Sequence, residues 1–367
     1  MKRGIAAILI FMLLMSTAAC NKGKEPEKDA TADQSTVEQA EPSDDQSATA
    51  DESTTSGGEE PAEAAEPENE KEDNFIFPEK GIRPFAVMID NEGTRPLPQG
   101  GLYLAQVVYE IIVEGGVTRL MPVFWNVDPE MIGPVRSSRH YFIDYAMVHD
   151  AIYVHVGQSP QAEKDLKNLK INNVNGIYVG GGVFWDLTTD KNNWQDTYTS
   201  MEKVKEYVSK VKYRTETDKN HVFTYSQKDT EPADGAQKAD KVSISYSGGY
   251  YTGYEYDPSS RTYMRYRNGK PHMERITGEQ LSAKNIIIQV VKNQRIKGDT
   301  EDRQELFNVG SGSGWYITDG RAMEIKWSKA SRSEPTRYTD ESGNLIILNP
   351  GQTWVQIAPS REGVTIE

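Results

Sequence analysis

Arg136-Ser137-Ser138-Arg139, inside the stretch IGPVRSSRHY at 132–141, places two guanidinium groups and two hydroxyls within four positions. Arginine forks match carboxylates and phosphates through paired hydrogen bonds, so the chemistry on offer is capture of an anion. Pro134 and the serines predict the opening turn of a helix, whose free N–H groups and positive dipole also attract anions. Two arginines at that end oppose the dipole and need acidic company. Asp90, Glu110 and Glu114 stand in nearby strand-like runs, and Arg119 falls just beyond Glu114. The preferred expectation is an internal charge cluster of Asp90, Glu110, Glu114, Arg119, Arg136 and Arg139. The other reading is a site for an external anion.

The carboxylates invite a second chemistry. On one extended strand Glu110 and Glu114 would share a face about 13 Å apart. A glycosidase pair needs about 5–9.5 Å, so these two do not make one by themselves. Asp90 ends a neighbouring strand, where α/β folds place ligands, and with Glu114 it could form an acid–base pair. The plainer reading has Asp90-Asn91 begin a turn and Glu114 pair with Arg119 across Gly115-Gly116.

Other motifs offer less. His149 and His155 have no third ligand close in sequence, so no metal site is expected, and His155 reads as a hydrogen-bonded, half-buried residue. GSGSG at 310–314 lacks the GxGxxG spacing and precedes a β-hairpin, which predicts a flexible β-loop. GxSxG, HExxH, GxxxxGK[ST] and CxxC do not occur. No cofactor is expected, and catalysis is not the favoured reading.

These residues are carried by two kinds of pattern. Residues 75–225 alternate strand and helix: PFAVMID, QVVYEIIV, VTRLMPVFW and AIYVHVG are β-rich. Gly115-Gly116 predicts that the second and third of these pair as a hairpin. Arg139 to His149 carries Tyr141, Tyr145 and Val148 on one helical face. Ser159-Pro160 opens another helix, and Ser200 precedes a third with Met201, Val204, Val208 and Val211 at helical spacing. Residues 226–240 read as a linker. From 241 to 367 strands alone follow, with turns at Pro258-Ser259-Ser260, Asn268-Gly269, Asp319-Gly320 and Ser342-Gly343-Asn344. The expected fold is α+β: a mixed α/β domain over 75–225, then a smaller antiparallel β-rich domain over 241–367.

The amino-terminal region sets the compartment. Lys2 and Arg3, the apolar run Ile5 to Met15 and the small residues before Cys20 have the layout of a secretory signal over 1–19. Cys20 directly after Thr17-Ala18-Ala19 resembles the lipobox of bacterial lipoproteins, which implies thioether lipidation of Cys20. Thr17 stands where leucine is usual. Cys20 is the single cysteine of 367 residues, so disulfides and a cysteine nucleophile are not expected. Residues 21–74 hold eighteen acidic residues against four lysines and one large apolar residue, Val37. That composition predicts a solvated acidic tether over 20–74. The remainder from 75 onward is nearly neutral and has no basic stripe, which argues against nucleic acid.

Taken together, RPFAVMIDN, VVYEIIVEGGVTRLMPVFW, IGPVRSSR and the closing LNPGQTWVQI resemble the YerB family of bacterial lipoproteins. The resemblance implies a lipid-anchored envelope protein with a larger α/β part and a smaller β part, and it supplies no reaction. The expected function is a binding or accessory module, anchored through Cys20 at the extracytoplasmic face of the cell membrane, for an envelope protein or cell-wall material. The alternative is a carboxylate-dependent hydrolase of cell-wall glycan or peptide, using Asp90, Glu110 or Glu114.

Overall fold

The computed structural model describes residues 75–232 and 235–367. The signal over 1–19, the lipidation of Cys20 and the acidic tether over 20–74 lie outside the described residues.

In chain order the first strands are β1 (Phe85–Val87), β2 (Ile89–Asp90), β3 (Val107–Ile112) and β4 (Thr118–Phe124). Helix α1 (His140–Val148), β5 (Ile152–His155), helix α2 (Pro160–Asn168) and β6 (Asn173–Asn175) follow. Then come β7 (Trp185–Asp186), β8 (Thr197–Tyr198), helix α3 (Met201–Lys210), β9 (Thr224–Tyr225) and β10 (Gln237–Lys238). Next are β11 (Lys241–Ser247), β12 (Tyr250–Asp257), β13 (Thr262–Arg267), β14 (Lys270–Pro271) and β15 (Ser282–Ala283). After them run β16 (Asn285–Val290), β17 (Asn293–Arg295), β18 (Gln304–Leu306), β19 (Gly310–Thr318) and β20 (Arg321–Lys329). The chain closes with β21 (Arg337–Thr339), β22 (Ile347–Leu348), β23 (Thr353–Ala358) and β24 (Val364–Ile366). Strand outweighs helix, and the fold is a β-rich α+β arrangement.

Local signals act as their chemistry dictates. Ser159 accepts from the Ala162 N–H at 3.2 Å with Pro160 at the first helical position, and Ser200 accepts from Lys203 N–H at 3.3 Å. Met201, Val204 and Val208 form the buried stripe of α3. Gly115-Gly116 turns β3 into β4, and Asp319-Gly320 turns β19 into β20.

The long-range pairing follows a different plan from the local one. Among the described residues the large sheet runs β10-β20-β19-β16-β23-β3-β4-β1-β5-β6, with β2 on β4 and β21 on β20. Strand β23 lies parallel to both β3 and β16, matching Val355 to Tyr109 and to Ile287. One sheet therefore spans both sides of residues 226–240, and β10 from that segment joins its edge. Asp229 in the same segment pairs with Lys284 at 2.6 Å, and Thr230 bonds Asn349.

The smaller sheet, β14-β13-β12-β11-β24 with β15 on β13, covers one face of the large sheet, and α1 packs on the other. Alternation along β3 sends Tyr109 toward α1 and Glu110 toward the smaller sheet.

GSGSG is strand and not a flexible loop: Gly310 to Thr318 pairs with β20 throughout. The glycines permit close packing. A Cβ on Gly314 would stand 1.9 Å from the Ile288 carbonyl oxygen, and one on Gly312 would meet the Trp327 ring at 2.6 Å. Among the described residues no helix is long and apolar enough to cross a membrane.

Candidate functional site

Strands β1, β5 and β6 are parallel, so their carboxyl ends line up on one side of the sheet. Asp90 ends β2 there, and Gly157 lies two residues past β5. The segment 132–138 crosses this end in extended form. Arg136 N–H bonds the Met88 carbonyl at 2.8 Å, Val156 N–H bonds the Arg136 carbonyl at 3.1 Å, and Ser138 N–H bonds Gly157 at 3.0 Å. Helix α1 begins at His140, with Arg139 as an N-cap that makes no side-chain cap bond. The expected opening turn at Arg136 is thus corrected. Neighbouring strands take the backbone donors that a helix would use.

The charged side chains meet in two groups. Arg139 grips Glu114 with Nε on Oε1 and with Nη2 on Oε2 at 2.9 Å. Arg119 reaches the same carboxylate at 3.8 Å and donates to the Ser137 carbonyl at 2.5 Å. Glu114 follows the end of β3 in a single 3₁₀ turn, so it does not share the strand with Glu110 as the spacing suggested. Burial raises the Glu114 carboxyl, but the Arg139 hydrogen bond and the arginine charges outweigh it and hold the group below its usual value. Arg119 is pushed down to about 10, first by burial and then by Arg139 and Arg136.

Arg136 belongs to the other group. Its Nε stands 3.1 Å from Asp90 Oδ2, and Nη2 is 3.9 Å from Glu92. Asp90 is otherwise engaged: Oδ1 accepts the Glu92 N–H at 2.9 Å, which is the expected turn, and Oδ2 accepts Gln195 Nε2 at 3.0 Å. The Arg136 guanidinium lies over the Trp194 ring, 4.1 Å from its centroid. Among the described residues it makes no hydrogen bond, and its Nε is buried without one. The side chain is 18% exposed and Trp194 is 50% exposed. Three arginines thus face two carboxylates within this end of the sheet, with Glu92 half exposed beside them. With Glu92 counted the charges balance, and what remains open is the hydrogen-bonding capacity of the Arg136 guanidinium.

Glu110 is absent from this group. It faces the smaller sheet, where Arg265 Nη2 meets its Oε2 at 2.6 Å and both side chains are 0% exposed. Thr118 Oγ1 donates at 2.7 Å and Thr252 Oγ1 at 3.1 Å. Arg265 also donates to Tyr254 Oη at 2.6 Å and to His272 Nδ1 at 2.9 Å, and it lies 4.0 Å from the Trp354 ring centroid. Burial lowers the Arg265 group, but Glu110, Tyr254 and Tyr250 together outweigh it and raise it above its ordinary value. Burial, then Arg265 and Arg267, keep His272 well below its ordinary value, so its Nδ1 accepts and its Nε2–H donates to Gln99 at 2.7 Å. Gln99 donates to Asn91 Oδ1 at 2.9 Å, and Asn91 donates to Thr118 at 2.9 Å. The ring closes on itself. A carboxylate walled off in this way is a strut between sheets and has no path to a substrate.

His149 and His155 are engaged separately, His149 with Tyr109 Oη at 2.8 Å and His155 with the Gly157 carbonyl at 2.8 Å. His155 is fully buried. Among the described residues no group of three or more His, Cys, Asp or Glu is placed to hold a metal.

Several partners escaped the sequence reading. Trp194 and Gln195 come from an irregular stretch with no local signal. Arg265 and Arg267 were findable: alternation in TYMRYR points Tyr263, Arg265 and Arg267 to one face, and that face is buried. An arginine at an inward strand position requires acceptors: Arg265 finds Glu110, and Arg267 finds the Tyr250 hydroxyl and the Asn91 carbonyl.

Two family models match this chain. That for the N-terminal domain of "Protein of unknown function (DUF3048)" covers residues 76–214, and that for its C-terminal domain covers 242–355. A protein of Bacillus subtilis (strain 168) named "Putative lipoprotein YerB" is 30% identical over 290 residues, which span 77% of this chain and 83% of that one. The crystal structure of the YerB protein from Bacillus subtilis superposes with a TM-score of 0.69 at 27% identity, covering 78% of this chain and 94% of that one.

Proposed function

The chain belongs to the YerB-like DUF3048 family, and from that premise we propose a membrane-anchored binding module that engages an anionic group of an envelope partner or of the cell wall. The relative's name carries the word lipoprotein. Cys20 supplies the anchor in this reading: it follows an apolar run and small residues, and two acyl chains there would hold stably at the extracytoplasmic face where one would not. Replacing Cys20 by alanine should move the protein from the membrane to the soluble fraction and abolish labelling with palmitate; unchanged fractionation would remove the anchor from the proposal.

The observation that carries the binding role is Arg136, stacked on exposed Trp194 beside Asp90 and making no hydrogen bond of its own. The hydrolytic alternative draws no support from the other carboxylates, since Arg139 clamps Glu114 and Glu110 is sealed between the sheets. Calorimetric titration of the chain lacking residues 1–19 with citrate and with inorganic phosphate tests the site. At least one should bind and raise the melting temperature by mass action, and Arg136→Ala should lose the response. Equal responses in both proteins, or none in either, would reject this site.

A further inference from the structure

On the α1 face of the large sheet, away from the arginine end, lies a cavity of about 280 Å³. His221, Phe223, Ile287, Thr336, Tyr338 and Leu345 are among its lining residues. The Phe223 and Tyr338 rings lie within 17° of parallel with centroids 5.8 Å apart, which makes an offset aromatic floor. Leu345, half exposed, stands at the rim.

The polar atoms here are conspicuously incomplete. Among the described residues thirteen buried side-chain polar atoms have no hydrogen-bond partner, and two of them, Thr336 Oγ1 and His221 Nε2, belong to residues that line this cavity. Gln289 is held from behind by the Tyr338 hydroxyl at 2.8 Å. His149 stands 6.4 Å from Phe223 between ring centroids, and Tyr109 links it to Tyr145. Buried polar groups are ordinarily satisfied, so two unpartnered ones on a cavity wall suit an occupant with hydrogen-bonding groups.

Apart from Arg337, the polar groups lining the cavity are uncharged at neutral pH. Burial pushes His149 down to about 3 and lowers His221 as well. Burial also raises Tyr145 and Tyr338, which keep their protons. Hydroxyl, amide and neutral imidazole can serve a ligand rich in hydroxyls, whereas a flat aromatic ring presents hydrogen-bonding groups only at its edge. We infer that this cavity binds a single neutral pyranose sugar, with its C–H face on Phe223 and Tyr338 and its hydroxyl or acetamido groups on Thr336 and His221. The apolar rim suits an acetyl methyl group.

Saturation-transfer NMR and calorimetry with N-acetylglucosamine test this, with phenol as the competing ring. The sugar should bind, with transfer strongest to its ring C–H and acetyl protons. Thr336→Val keeps the side-chain shape and should weaken binding about tenfold, the loss expected for one hydrogen bond. Its melting temperature should hold or rise, because a hydroxyl without a partner is removed. Leu345→Trp, at an exposed position, should block the mouth. Arg136→Ala should bind the sugar like wild type, which separates this site from the anion site. Absence of sugar binding would overturn the inference and leave water as the occupant, and phenol binding in its place would overturn the ligand class.

Discussion

Glu110 and Glu114 sit four residues apart on one hairpin, and each meets an arginine, yet their surroundings are opposite. Glu110 and Arg265 lie between two sheets, in a ring of hydrogen bonds that leaves neither exposed. Glu114 stands past the strand end, where Arg139 grips it and Arg119 leans on it, and the neighbouring Arg136 remains without a hydrogen bond. What separates the two regions is whether a second layer closes over them. A covered pair must be complete, because an unpaired buried charge is costly. A pair at a strand end can leave donors over for a visitor.

The sharpest way to break this contrast is to halve the covered pair. Arg265→Ala or Glu110→Ala should cost about 3–5 kcal/mol in chemical denaturation, since each leaves the other charge buried and alone. Replacing both by apolar residues of similar volume should cost less than either single change. A mild single mutant would mean that the interface admits water and that the two regions do not differ.

At the strand end Arg139→Ala should cost less, about 2 kcal/mol, because water can reach Glu114 once the arginine is gone. The sign with pH follows from the lowered Glu114 carboxyl. Its stabilisation is present above the ordinary value of 4.5 and is lost as pH falls through the folded value. Denaturation midpoints against pH should therefore show an acid limb that Arg139→Ala removes.

The covered parts of the fold should also show a histidine signature. His149 stays neutral down to about 3 when folded, against 6.5 unfolded, so below pH 6.5 the unfolded chain binds the extra proton. Stability should fall on acidification through this window, by about 1.4 kcal/mol at pH 5.5 from this residue. His272 acts in the same direction. His149→Gln should flatten the slope in urea titrations from pH 7 to 5; an unchanged slope would place the acid sensitivity elsewhere.

The smallest effect belongs to Arg136→Ala, about 1 kcal/mol, because it removes the guanidinium 3.1 Å from the buried Asp90 carboxylate while that carboxylate keeps its bonds from Gln195 and from its own turn. A loss comparable to that of Arg265→Ala, in the same denaturation assay, would make Arg136 a strut and erase the distinction.

Local chemistry was well written in the chain. The caps at Ser159 and Ser200, the Gly115-Gly116 turn and the Asp319-Gly320 hairpin follow from residue types alone. The placement of β23 between β3 and β16 could not be read the same way. A run of apolar residues reports burial, and it does not say which distant strand lies alongside. The same limit divided the candidate cluster: Arg136, Arg139 and Arg119 were grouped with Asp90, Glu110 and Glu114, but the pleat turns Glu110 toward strands more than 140 residues away. At Arg136 the reason is more local: a serine-rich segment that suits a helix start is bonded on both edges by strands.

Phe75 and Phe77 pack on Tyr225, whose hydroxyl meets Thr353 at the start of β23, and Gln106 just before β3 holds the Ile76 carbonyl. From there β1 and β2 run to Asp90, at the far end where Arg136 waits. A tug between the amino-terminal side and a ligand held by Arg136 would travel lengthwise along that path. Strands β4 and β5 flank it, so the ladders on both sides would be loaded together in shear instead of being unzipped one bond at a time.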